Sequence, residues 1–421
     1  MRRLYTLLWW LALPALPVRL WWRGRREPGY RRLVAERFGR YALARPPGPL
    51  VWIHAVSLGE TRAAAPLLER ILRERPQTHV LLTHMTATGR EAGAAMAGAR
   101  VVQSWFPYDV PFAARRFLAH WRPDAGLLLE TEVWPNLLAE ARRSGVPVYL
   151  VNARLSERSA RGYARAPRMA ADAFGALAGV AAQTEDDAHR LRALGARDTT
   201  VTGNLKYDLA APADVAARAA ALREVVGAQR PLWIAASTRE GEEALILDAL
   251  AAHGGALPPA TVTIIVPRHP QRFDEVAALL RAHGVRFGRR SEGVPLPADA
   301  RVLLGDTMGE LATYYAAADV AFVGGSLVPL GGQNLIEPLA LGVPTLVGEH
   351  TFNFAAAAQS AIAAGAAERV HDAAALVARV GTLLNDAPLR AGMRERAQRF
   401  MAAHRGAADR LWAWLGPRLP A

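Results

Sequence analysis

The chain has 421 residues, 51% of them hydrophobic, which is enough for two domains with full cores. Lys+Arg 51 against Asp+Glu 38 leaves a net charge of +13, so the expected partners are anionic: phosphorylated lipid, nucleotide or nucleic acid. With no cysteine, a disulfide framework and a thiolate metal site are both excluded.

The chain opens MRRLYTLLWWLALPALPVRLWWRGRR. Its apolar run, Leu4 to Val18, is shorter than the roughly 20 residues of a spanning helix, and Pro14 and Pro17 would kink it. No small-residue cleavage site of the A-x-A kind follows. Tryptophans at both ends, with arginines beyond them, suit an anchor at or just across a membrane interface. The heavier basic cluster after the run places the rest of the chain on the cytoplasmic side. Residues 1–25 are therefore expected to be a membrane anchor, with a buried amphipathic helix as the alternative.

Two series of strands alternating with helices follow. The first has apolar runs at Leu50–His54, Val80–Thr83, Val101–Phe106, Gly126–Leu129, Pro147–Asn152, Gly179–Gln183 and Thr200–Gly203. The second has them at Leu232–Ala236, Thr261–Val266, Arg301–Leu304, Asp319–Val323 and Pro344–Val347. Continuous apolar strands predict parallel sheets covered on both faces. The expectation is two doubly wound α/β domains, 26–210 and 211–421, facing a cleft. The linker falls at Leu209–Asp214, and a basic amphipathic helix, Leu389–Leu415, closes the second domain. Ligands in such folds bind at the carboxyl ends of the strands.

Those ends carry the candidate residues. WIHAVSLGE places Ser57, Gly59 and Glu60 in the first loop, where a carboxylate can take a proton from an attacking hydroxyl; a helix-end charge is the plainer alternative. LLLETEVWPNL ends a buried strand in Glu130 and Glu132, which need partners. Lys206, in GNLKYD, is the only lysine in the chain and a fitting cation for them. In the second domain STREGEE supplies Ser237 and Thr238, VPRHPQRF supplies Arg268 and His269, and LLGDTMGEL the turn Met308-Gly309-Glu310. The block from Asp319 to Asn353 reads strand, glycine-rich loop, helix opening at Asn334-Leu335-Ile336-Glu337, then strand. A small-residue loop feeding a helix N-terminus can hold an anion, with Glu337 one turn in to accept ribose hydroxyls. No D-x-D pair at a strand end, H-E-x-x-H or EF-hand spacing is present, so no metal is expected. No RNP, KH or helix-turn-helix signature supports nucleic acid as the partner.

The last block resembles the donor-nucleotide motif of GT-B glycosyltransferases. Taken with RGRREPGYRRLVAERFGRY, HAVSLGE, LLETEVWPNL, VNARLSERSARGY, GNLKYD, STREGEE, VPRHPQRF, GDTMGEL and GEHTFNF, the chain is similar nearly end to end to the 3-deoxy-D-manno-octulosonic acid (Kdo) transferases. The resemblance implies an inverting GT-B enzyme moving Kdo from CMP-Kdo to a phosphorylated lipid A precursor, lipid IVA, at the inner membrane. It implies Glu60 as proton acceptor and Glu130 and Lys206 as transition-state stabilisers. CMP contacts would come from Arg268, His269, Met308, Gly309, Glu310, Asn334, Leu335, Ile336 and Glu337, with neither cofactor nor metal. A UDP-sugar transferase or epimerase of the same fold is the alternative.

Overall fold

The computed structural model describes residues 1–25, 27–208 and 212–420. It divides into two compact units, Met1–Leu209 with Arg405–Ala421, and Ala210–His404. Residues 209–211 of the expected linker lie outside the described residues.

In the first unit β1 (Leu50–His54), β2 (His79–His84), β3 (Val101–Trp105), β4 (Ala125–Leu129), β5 (Val148–Ala153), β6 (Gly179–Ala182) and β7 (Thr199–Val201) form one parallel sheet, ordered β3-β2-β1-β4-β5-β6-β7. Strand alternation explains why these segments are apolar throughout. Leu50 and Trp52 join one core with Leu81, Leu128 and Leu150, while Val51 and Ile53 join another on the opposite face with Val80, Leu127 and Val151. The strand order reverses between β1 and β4. The loops that leave their carboxyl ends therefore run to opposite faces of the sheet and leave the crevice where ligands of doubly wound folds sit.

The second unit repeats the plan. Its strands β8 (Leu232–Thr238), β9 (Val262–Pro267), β10 (Phe287–Arg289), β11 (Val302–Leu304), β12 (Val320–Val323), β13 (Thr345–Val347) and β14 (Ala367–Arg369) run parallel in the order β10-β11-β9-β8-β12-β13-β14. Here the reversal falls between β8 and β12. The strands β10 and β14 were not expected. Both are three-residue edge strands containing arginine, too short and polar to register as apolar runs.

The C-terminal expectation needs correction. Leu389–Leu415 is two helices, Ala387–His404 and Ala407–Leu415, broken at Gly406, whose φ of 84° is left-handed. The second of these returns to the first unit. Leu411, Trp412 and Leu415 enter its core, Trp412 donates to Glu74 at 2.6 Å, and Asp208 accepts from the backbone N–H groups of Gly406 and Ala408.

The N-terminal segment forms α1 (Arg2–Ala12) and α2 (Ala15–Arg23), bent by 59° at the Leu13–Pro14 break. No single helix among the described residues is long and apolar enough to cross a membrane. One face of the pair packs on the first unit: Leu16 and Leu20 are buried with Tyr30, Ala87 and Tyr108, and Trp9 and Leu13 lie beside them. The opposite face exposes Leu4, Leu7, Leu8, Leu11, Val18, Trp21 and Trp22.

Candidate active site

Ser57 ends the turn after β1 as the N-cap of the Leu58–Glu74 helix, its hydroxyl accepting from the Glu60 N–H at 3.5 Å. Glu60 stands three residues on, as in a capping box, but its Oε2 reaches back past the cap to the Val56 N–H at 2.5 Å. Both readings of Glu60 thus have a structural footing: it serves the helix end, and it sits at the strand-order reversal. Gly59 is exposed, with no protein atom within 4 Å of where a side chain would begin, so approach to this turn is open.

Glu130 lies just past β4, buried, with φ at 58°. Holding a non-glycine residue there costs energy of order 1–3 kcal/mol, a strain typical of functional positions. Its Oε1 lies 2.6 Å from Lys206 Nζ and its Oε2 lies 3.7 Å from Arg154 Nη2. Lys206 is carried by the short 3-10 turn Leu205–Asp208. The structure therefore brings Glu60, Glu130 and Lys206 together, with Glu132 as a further acid. Burial, then the Glu130 and Glu132 charges, pushes Glu60 up to about 8, with Lys206 pulling the other way. Burial pushes Glu132 up to about 7. An isolated ionised acid would be costly here, and a carboxylate whose pKa lies near neutrality, once ionised, is suited to general base work. His54, read as a core residue, is fully buried; its Nδ1 meets Thr83, and burial holds its pKa well below the usual histidine range.

Reading the sequence missed Asn152 and Arg154 as members of this group. They lie inside VNARLSERSARGY, and the available signal was an Asn at a strand end followed two residues later by a cation.

In the second unit the expected anion loop is partly occupied by the chain itself. Glu242 of STREGEE is buried, and its carboxylate accepts from the N–H groups of Arg239, Gly325, Ser326 and Leu327 at 2.9, 2.5, 3.0 and 2.9 Å. Donors expected to face a ligand phosphate are thus spent on an internal carboxylate. Thr238 likewise donates to Glu243, which pairs with Arg272 at 2.7 Å. The helix after the loop is Ile336–Ala340, only five residues, and Glu337 is its second residue rather than one turn in. Asn334 donates to Glu337 at 3.1 Å and accepts from the Ile336 N–H. Leu335 and Ile336 are buried core side chains, so only their backbone can face a ligand.

Arg268 donates to Gln333, next to Asn334, at 3.2 Å. His269 is held below its usual pKa by burial and then by the neighbouring Arg268 and Arg239 charges, so three basic groups converge near the β8 and β9 ends. The Met308-Gly309-Glu310 turn has a separate network. Met308 is exposed, Gly309 has φ 81°, and Glu310 pairs with Arg290 at 3.0 Å while accepting from Thr307. The following helix, Leu311–Ala317, carries Tyr315, whose phenol pKa is raised by burial first and then by the nearby Glu337 charge. Among the described residues no group of three or more His, Asp or Glu side chains is placed to hold a metal ion.

Residues 32–209 match the family model described as 3-Deoxy-D-manno-octulosonic-acid transferase (kdotransferase). The 3-deoxy-D-manno-octulosonic acid transferase of Bordetella pertussis is 49% identical over 433 residues, covering 99% of this chain and 100% of that protein. That of Haemophilus influenzae is 37% identical over 400 residues, covering 94% of this chain and 93% of its own. Among solved structures, Anabaena Alr3699/HepE in complex with UDP superposes with a TM-score of 0.59 at 15% identity, covering 88% of this chain and 99% of that one. That likeness shows the fold, two parallel-sheet α/β units as in GT-B glycosyltransferases, and nothing about the ligand. With relatives aligned over nearly their whole length, the chain belongs to the Kdo transferase family.

Proposed function

We propose that this glycosyltransferase moves Kdo from CMP-Kdo to a tetraacyldisaccharide 1,4'-bisphosphate lipid A precursor, lipid IVA, releasing CMP, in lipopolysaccharide core biosynthesis. The observation that carries the reading is the Glu60 carboxylate, raised in proton affinity, beside the buried Glu130–Lys206 pair at the β1/β4 reversal. Glu60 accepts the proton of the acceptor hydroxyl as its oxygen bonds to the anomeric carbon of Kdo. The bond from that carbon to the CMP phosphate breaks, and its electron pair leaves with CMP. With the acceptor oxygen attacking the anomeric carbon directly, the transfer is a single displacement, hence inversion. Lys206, oriented by Glu130, offsets the negative charge that builds as the proton moves.

Arg268, with Arg239 and His269 beside it, is assigned to the CMP phosphate. Glu337, oriented by Asn334, is assigned to the ribose, and the Met308-Gly309-Glu310 turn and the backbone at Leu335 and Ile336 to the rest of the nucleotide. The donor needs no metal or other cofactor in this scheme. The enzyme works at the cytoplasmic face of the inner membrane, held by the exposed apolar face of α1 and α2. The purified protein, given CMP-Kdo and tetraacylated precursor, should yield Kdo-bearing product by mass spectrometry and none with UDP-sugars. Turnover of a UDP-sugar without CMP-Kdo activity would sink the reading.

A further inference from the structure

Both members of the Glu130–Lys206 pair are held by one tetrapeptide, Val151-Asn152-Ala153-Arg154, at the end of β5. Glu130 N–H donates to the Val151 carbonyl at 3.1 Å, Arg154 N–H donates to the Glu130 carbonyl at 3.2 Å, and the Arg154 guanidinium approaches the Glu130 carboxylate. On the other side, Asn152 Oδ1 accepts the Leu205 N–H at 3.0 Å, the first N–H of the turn that carries Lys206. Asn152 is wholly buried, and its φ of 52° is left-handed. At this residue the β5/β6 register breaks, between Leu150 and Ala153, and the Asn152 carbonyl accepts from Gln183 at 2.9 Å. The amide cannot be flipped, because Leu205 N–H requires an oxygen opposite it. Its Nδ2 therefore points elsewhere, buried and without a hydrogen-bond partner among the described residues.

A strained, fully buried residue with an unpaired donor is expensive, and such positions persist where the surroundings need them. Asparagine suits this one: it tolerates the left-handed region and also offers an acceptor. We infer that Asn152 is a positioning residue for the transfer reaction, holding the Lys206 turn against Glu130. This rests on the catalytic reading of Glu60, Glu130 and Lys206. Asn152 itself need not touch substrate.

Asn152→Gly separates the two things Asn152 does. Glycine keeps the left-handed backbone but removes the acceptor, so a purely conformational role survives it. Asn152→Gly should fold, with a cooperative thermal transition, and bind CMP as wild type does. Its kcat should fall by roughly 10²-fold, the cost of a misplacement of about 1 Å at a reacting centre, with little change in KM for CMP-Kdo. The acid limb of its pH profile should move up, because the Lys206 charge, after the Val56 N–H, draws the Glu60 proton affinity down, and a displaced Lys206 does so less.

A double-mutant cycle with Lys206→Ala then tests the route. If Asn152 acts through Lys206, Asn152→Gly should add little further loss in the Lys206→Ala background. Losses that multiply, or wild-type kcat and pH limb in Asn152→Gly, would overturn the inference and leave the catalytic reading standing. Full activity in Lys206→Ala would remove that reading, and this inference with it. Should Asn152→Gly fail to fold, Asn152→Ala, which also lacks the acceptor, goes through the same cycle with the same two outcomes.

Discussion

At the scale of single residues, the electrostatics of the first unit make signed predictions. Glu60 takes up its proton at about 8, so transfer should fall as pH drops below that value. Lys206→Ala removes a charge that lowers this proton affinity and should move the limb up; Glu132→Gln removes one that raises it and should move the limb down. A pH profile of kcat/KM for the three proteins checks this, and identical limbs would mean another group sets the profile. Glu60→Gln should lose about 10²–10⁴-fold in transfer while retaining CMP binding. It should also change stability with pH in a defined sense. The folded-state pKa is raised from 4.5 to about 8, so the stability tied to that proton is full below about 4.5 and is lost as pH rises through 8. Replacing Glu60 by neutral Gln should therefore raise Tm more at pH 9 than at pH 5. An equal change at both would show that Glu60 is not buried as a neutral acid.

At the scale of elements, strands were legible and long-range partners were not. β1, β4, β8 and β12 declare themselves as apolar runs ending in polar loops, and that pattern marked Glu60, Glu130 and the second glycine loop as candidates, whose roles came from the family resemblance. Glu242 could not be read in the same way, because the Gly325, Ser326 and Leu327 N–H groups it serves lie more than eighty residues further along the chain. A carboxylate in a first helical turn reads as a helix-end charge, whatever it reaches across the sheet. The return of Ala407–Leu415 to the first unit was hidden for the same reason: Gly406 marks the break, but nothing local says which core the following tryptophans enter. Glu242→Ala should leave those backbone donors unpaired at the mouth of the proposed nucleotide site. Each buried donor left so costs about 1–3 kcal/mol, so a markedly lower Tm and weaker CMP binding are expected together. Undiminished CMP affinity in that variant, measured by calorimetry, would mean the loop keeps its shape without Glu242.

At the scale of the whole molecule, the N-terminal segment is part of the first unit as well as a candidate for the bilayer. Tyr5 donates to buried Asp109 at 2.9 Å, and Asp109 also accepts from the Asn136 and Leu137 N–H groups at the start of the Pro135–Arg143 helix. Thr6 reaches Asn136 from the same face of α1. Asp109 is 1% exposed, so this contact belongs to the fold, and its burial pushes the pKa up to about 6. Deleting residues 1–22 would uncover Asp109, Tyr30 and Tyr108, and aggregation of the truncated protein would follow from that alone. The membrane role must instead be tested on the outer face, where Leu8 and Leu11 are 58% and 70% exposed and touch no core. Burying a leucine in an apolar phase is worth about 1.5–3 kcal/mol, and each nearby arginine adds about 1 kcal/mol at an anionic surface. Leu8→Asp with Leu11→Asp should therefore lower vesicle binding at least tenfold, since 1.4 kcal/mol is already tenfold. Tm and CMP binding should stay at wild-type values. Transfer to acceptor in vesicles should fall with the binding, and transfer to detergent-dispersed acceptor should fall much less. If the double variant stayed on anionic vesicles as tightly as wild type, the outer face of α1 would not be the membrane contact, and the anchoring proposal would have to move elsewhere on the chain.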